Sequence, residues 1–163
     1  MSKKSAHHAK TLAERLSYLL GEWKGSGKVI TRTSTYEFQT HMVCLKATGS
    51  GGVDVLRFGD SGADTIFFGD HLHLYQDAVD GSLRARIELF DFSNFGDTVV
   101  ESVSGVSLTE DGLVIESLPE KKGVITSRDV WTTTGTSGLN MKSKETEGEV
   151  SWSMEFYFGK RRV

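Results

Sequence analysis

Proline is almost missing from this chain: Pro119 is the only one among 163 residues, and Cys44 is the only cysteine. One cysteine rules out an internal disulfide, so nothing in the sequence calls for an oxidising compartment. Long hydrophobic runs are missing too. No stretch approaches the ~20 apolar residues of a membrane-spanning helix, and the opening "MSKKSAHHAKTLAERL" has lysines with no apolar stretch behind them, unlike a secretory leader. Neither sign of charge forms a block. Nineteen Lys and Arg stand against 22 Asp and Glu, for a net charge of -3, which argues against a nucleic-acid partner. These absences predict a soluble cytoplasmic protein without membrane insertion.

Glycine, by contrast, is plentiful, with 18 residues. Together with an apolar fraction of 37% it describes a globular, turn-rich chain of one domain, 11–163, behind a loose polar segment, 1–10. Thr11 precedes Glu14 by the three residues of a capping box, and Leu12, Leu16, Leu19 and Leu20 follow at one-face helical spacing. One short amphipathic helix, 12–20, is predicted, with Gly21 as its stop.

Beyond Gly21 the period changes from helical to two. In "VSWSMEFYFG", Val150, Trp152, Met154, Phe156 and Phe158 share one side and Ser151, Ser153, Glu155 and Tyr157 the other. "LRARIELF" alternates in the same way. Eight further runs, among them "YEFQTHMVCL", "VDVLRF", "DTIFFG", "LHLYQ" and "VITSRDVWTTT", bring the expected count to ten or eleven strands. Separators such as "TGSGG", "VDGS" and "GTSG" are too short for crossover helices, so neighbours are antiparallel. A sheet of that many strands with one apolar face must curl onto itself or stack as a sandwich, and the short, nearly uniform turns favour a meander that closes. The predicted fold is therefore all-β, an antiparallel up-and-down barrel of about ten strands with the helix capping one end.

"LLGEWKGSGKV", residues 19–29, has the glycines and lysine of a phosphate loop, but not its order. Gly21 lies one residue too far from Gly27, Val29 stands where a magnesium-binding hydroxyl belongs, and the stretch runs from helix to strand. As a first barrel strand it makes sense residue by residue. Trp23 plugs the base, and Gly25 and Gly27 relieve crowding where the strand bends. Gly21-Glu22-Trp23 resembles the G-x-W that opens lipocalins. The longer stretch resembles the LLG-x-W-x-G-x-G opening of the nitrobindin and fatty-acid-binding-like branch of the calycin superfamily, and of a group of uncharacterised bacterial calycin-like domains. That resemblance implies a barrel that binds a small molecule, with a basic residue of the last strand, Arg161 or Arg162, packed on Trp23. It also implies a haem-holding histidine near the C-terminus in nitrobindin-like members, and this chain has none from Met141 to Val163. No cofactor is expected.

Candidate site residues follow from alternation. Tyr36, Phe38, Thr40, Met42 and Cys44 form the expected inward set, leaving His41 outside unless a bulge near Met42 turns it in. Arg128 alternates with Val124, Thr126, Val130 and Thr132, whereas Asp129 goes with Ile125, Ser127 and Trp131. If inward, Arg128 needs an anion such as a ligand carboxylate; otherwise it is an ordinary surface arginine. His71 and His73 share one side of a strand, half of a zinc site with Asp70 or Asp77 as conceivable further ligands, or two solvent-facing imidazoles. No metal is assigned. Aromatic residues, including Phe67, Phe68, Phe90, Phe92, Trp131, Trp152 and Phe156, either line a cavity or fill it. No nucleophile motif of the G-x-S-x-G type occurs.

These observations predict a protein that binds a small hydrophobic or amphipathic molecule inside the barrel through Arg128, His41, Tyr36, Phe38, Met42, Trp131, Trp152, Met154 and Phe156. The alternative is an isomerase- or hydrolase-type enzyme using an interior carboxylate or His41. Monomer and homodimer both fit the sequence.

Overall fold

The helix is shorter than its leucine spacing implies. Thr11 Oγ1 accepts a hydrogen bond from the Glu14 amide at 3.2 Å, as its capping position requires, and starts a single α-turn, α1 (Leu12–Arg15). A 3-10 turn, Ser17–Leu19, follows, and Leu20 is already extended. Leu12, Ala13, Leu16 and Leu19 are all buried in the barrel core, and Gly21, at φ 127°, turns the chain into the first strand. Tertiary packing of the leucines, not helix length, holds this cap in place.

The computed structural model describes residues 10–60, 66–90, 99–118, 125–147 and 150–161. Ten strands succeed one another: β1 (Gly21–Ile30), β2 (Thr35–Lys46), β3 (Val53–Asp60), β4 (Ile66–Gln76), β5 (Leu83–Phe90), β6 (Val99–Leu108), β7 (Gly112–Ser117), β8 (Ile125–Thr134), β9 (Gly138–Glu147) and β10 (Val150–Lys160). Each pairs antiparallel with its neighbours in sequence, and β10 closes on β1. The fold is therefore the expected up-and-down barrel. "DTIFFG" and "LHLYQ", read as two runs, are one continuous strand, β4, which reduces the count to ten.

Closure depends on the glycines of β1. A Cβ at Gly25 would collide with the Tyr157 carbonyl of β10, and one at Gly27 would occupy the space of the Phe38 ring. Phe38 uses that space to meet Phe156 edge-on, with ring centroids 5.6 Å apart. At the capped end the Trp23 indole donates to the Leu19 carbonyl at 2.8 Å, tying α1 and its 3-10 turn to β1.

The basic residue on Trp23 is Lys160, not Arg161. Its Nζ lies 5.5 Å from the ring centroid and donates to the Tyr18 carbonyl at 3.1 Å. Register explains the correction, because Trp23 pairs directly with Lys160, whereas Arg161, one position on, leaves that face and meets Glu22 at 3.3 Å. Arg162 lies outside the described residues, as do His7, His8 and Phe92.

Candidate functional site

β3 carries an arginine in an apolar register. Val53, Val55 and Arg57 all face inward and all are buried. Directly opposite on β4 is Asp70, which shares the inward side with Leu72 and Leu74. The pair is bidentate: Arg57 Nε donates to Asp70 Oδ1 at 2.9 Å and Nη2 to Oδ2 at 2.6 Å. Nη1 lies 3.5 Å from Asp129 Oδ2 and donates to Met141 Sδ at 3.4 Å. Aromatic faces complete the enclosure, with the guanidinium carbon 5.2 Å from the Phe156 centroid and 5.8 Å from that of Trp131.

Electrostatics follow from this crowding. Burial alone would make the guanidinium easier to deprotonate, but the charge and hydrogen bonds of Asp70, aided by Asp129, reverse that and raise its pKa. Asp129 has the opposite balance. Its burial raises the carboxyl above the ordinary aspartate range, and the attraction of Arg57 only partly offsets this. Burial likewise raises Glu145, on the inward side of β9, against a hydrogen bond from Trp152.

Two polar atoms of this cluster are left over. Asp129 Oδ1 and Trp131 Nε1 are buried without a hydrogen-bond partner. They lie two residues apart on the inward side of β8, and the Trp131 indole N–H, as a donor towards Asp129, is among the groups that favour its carboxylate.

Burial is graded along the barrel. On β10 the inward Phe158 and Phe156 are buried and Met154 and Trp152 half-buried. On β9 Leu139 and Met141 give way to half-buried Ser143 and Glu145, and on β8 Trp131 and Asp129 give way to Ser127. Inward side chains near the capped end are thus buried, while those towards the far end are partly exposed. Asp129 stands at the boundary.

Of the residues singled out from the sequence, Phe38, Met42, Trp131 and Phe156 come together in the buried interior, with Trp152 and Met154 above them. Arg128 does not join them. Its side chain is 61% exposed, 3.9 Å from Glu116 on the next strand, because Ser127, Asp129 and Trp131 are the residues that β8 turns inward. His41 is exposed as well, since β2 runs past Met42 with no break in register. Tyr36 shares the inward parity of Phe38 but is 60% exposed near the strand's end. The side chains of Phe67, Phe68 and Phe90 lie outside the description.

His71 and His73 do project to one side, the outer one. Both meet Asp54 Oδ1, at 3.0 and 2.9 Å, and His71 Nδ1 is 3.6 Å from Glu88. Asp70 is on the opposite face of β4, and Asp77 belongs to a turn where it accepts from the amides of Val79 and Asp80. Among the described residues no group of three or more His, Cys, Asp and Glu side chains is arranged to hold a metal ion.

The sequence reading missed Arg57, and considered Asp70 only beside the histidines and not as its interior partner. A signal was present, since each charge falls in phase with two apolar neighbours, but "GD" at 69–70 has the look of a turn.

No family model matches the chain, and no curated protein matches it by sequence. Solved structures do match by shape. Rv2717c from M. tuberculosis superposes with a TM-score of 0.63 at 16% identity, covering 93% of this chain and 98% of that one. The S-type phycobiliprotein lyase CPES from Guillardia theta superposes with a TM-score of 0.64 at 10% identity, covering 94% of each chain. At such identities the barrel is what is shared.

Proposed function

We propose that this chain is a small-molecule-binding protein of calycin type, taking a hydrophobic or amphipathic ligand into the half-exposed part of the barrel interior. Trp152 and Met154 form its half-exposed apolar wall, and the buried Phe38, Trp131, Phe156 and Met42 pack beneath them. The observation that carries this reading is the burial gradient: Trp152 and Met154 face inward yet remain partly exposed, above the buried aromatic residues and the Arg57–Asp70–Asp129 cluster. Covering such surface is favourable by about 25 cal/mol per Å². Arg128 and His41, which are exposed on the outer face, are left out of the proposed site, as is Tyr36, which has the inward parity but is 60% exposed near the end of β2.

Native mass spectrometry of the whole protein, purified gently from its host, tests the reading. A small molecule retained in the folded protein and released on unfolding is the expected result. Repeated recovery of empty protein, with no thermal shift across lipids, isoprenoids and haem, would overturn it.

One observation favours a second reading, acid–base catalysis in the same barrel. Asp129 and Glu145 both face inward, and burial raises the pKa of each. A phycobiliprotein lyase shares the architecture, so the fold alone does not choose between carrying and catalysis. Turnover in an isomerase or hydrolase screen that disappears in both Asp129→Asn and Glu145→Gln would select the enzyme.

A further inference from the structure

Cationic side chains gather on the outer wall, at the end of the barrel away from α1. Register places Ile30 of β1, Ser153 of β10, Lys144 of β9 and Arg128 of β8 in one cross-strand row, and the 61% exposure of Arg128 shows that this row faces outward. Lys144 therefore stands directly opposite a second cation, a pairing that destabilises a sheet unless an anion offsets it. Arg128 has Glu116 at 3.9 Å. Among the described residues neither Lys144 nor Arg32 has an ion pair. Glu155, the next outward residue along β10, is already engaged, with Lys28 at 3.2 Å and the Tyr157 hydroxyl donating to it at 2.7 Å.

The wall beside Lys144 carries a depression of about 470 Å³. β10 runs between β1 and β9, so Arg32 of the β1–β2 turn bounds the depression on one side and Lys144 on the other, with Ser151 and Ser153 between them and Ile30 as an apolar flank. The turn that carries Arg32 is pinned. The Thr31 amide and hydroxyl donate to the Ser34 carbonyl at 2.8 and 3.1 Å, and the Ser34 amide donates to the Thr31 hydroxyl at 3.1 Å. The hydroxyls of Ser151 and Ser153 make no hydrogen bond among the described residues, and no described carboxylate lines the depression.

Two cations on opposite walls and two hydroxyls between them are donors that converge from several directions. A planar carboxylate, with one charge, meets only part of such a set. A tetrahedral dianion meets more of it, through short charge-assisted hydrogen bonds. We infer that this depression binds a phosphate group bearing an apolar substituent, a phosphomonoester whose chain lies against Ile30. The site is on the outer wall and does not depend on the binding role proposed for the interior.

Hexyl phosphate, hexanoate and hexyltrimethylammonium, titrated calorimetrically into the full chain in low-salt buffer at pH 8, test it, since a phosphomonoester is then a dianion. Hexyl phosphate is expected to bind about tenfold tighter than hexanoate, the worth of one further hydrogen bond to a charged group, and hexyltrimethylammonium not at all. Arg32→Gln and Lys144→Gln should each weaken hexyl phosphate by about threefold to tenfold, whereas Lys24→Gln, at an exposed lysine of β1 outside the depression, should leave it unchanged. Phosphatidylcholine vesicles with and without phosphatidic acid, followed by co-sedimentation, identify the source of the phosphate group. Binding to the acidic vesicles alone, lost in Arg32→Gln and Lys144→Gln, would keep the phosphate assignment and make a lipid surface its source. Hexanoate binding as tightly as hexyl phosphate would overturn the inference, as would an affinity that neither substitution lowers. So would no binding to either hexyl phosphate or the acidic vesicles, and each of these results leaves the interior binding role standing.

Discussion

Arg57 is the residue on which the interior is organised, and its surroundings make its neighbours' substitutions predictable. Asp70 supplies two charge-assisted hydrogen bonds to it, so Asp70→Ala removes the bidentate partner of a buried cation and should cost about 3–5 kcal/mol in denaturant unfolding. Asp129→Asn should act in the other direction. A carboxyl whose folded pKa is raised contributes stability below its unfolded pKa and loses it as pH rises through the folded value. The asparagine variant is therefore expected to be the more stable by about 1 kcal/mol near pH 7, the scale of an imperfectly paired buried charge. That advantage should vanish on acidification. A variant less stable than the parent at every pH would show that the Arg57 contact outweighs burial. Cys44 gives a third expectation. Burial pushes its thiol up to about 12, so a thiol reagent at pH 8 should label it only after unfolding.

Elements impose their own constraints, most sharply in β1. Gly25 lies against the Tyr157 carbonyl of β10, so even a methyl group there forces apart the pair of strands that closes the barrel. Gly25→Ala should cost about 2–4 kcal/mol in thermal or chemical unfolding. Thr11→Ala, which removes only the cap on α1, should cost about 1 kcal/mol. Much of this element-level behaviour was legible in the sequence. The capping spacing, the glycine-punctuated β1 and the alternation of β10 each depend on residues close together in the chain. Helix length was not, because whether the chain stays helical after Arg15 depends on where Trp23 and the barrel wall receive its leucines. The choice between Arg161 and Lys160 was hidden for a similar reason: it turns on the register of two strands more than 130 residues apart.

For the molecule as a whole, closure is the dominant fact. Ten strands in simple succession leave no edge only because β10 pairs with β1. A chain truncated after Glu149 should expose the edges of both β1 and β9 and shift to larger species than the full chain in size-exclusion chromatography. The sequence by itself determined the all-β antiparallel class, since period-two alternation and short turns leave no room for crossover helices, and its uniform turns favoured the barrel over a stacked sandwich. It also determined the inward side of β2 and β10, where alternation is clean. What only the tertiary structure decided was the chemistry inside. Arg57, Asp70, Asp129 and Met141 come from four strands, and a polar cluster assembled across a barrel leaves no spacing in the chain. β8, with similar residues on both faces, was oriented by its neighbours, which turned Asp129 and Trp131 in and Arg128 out.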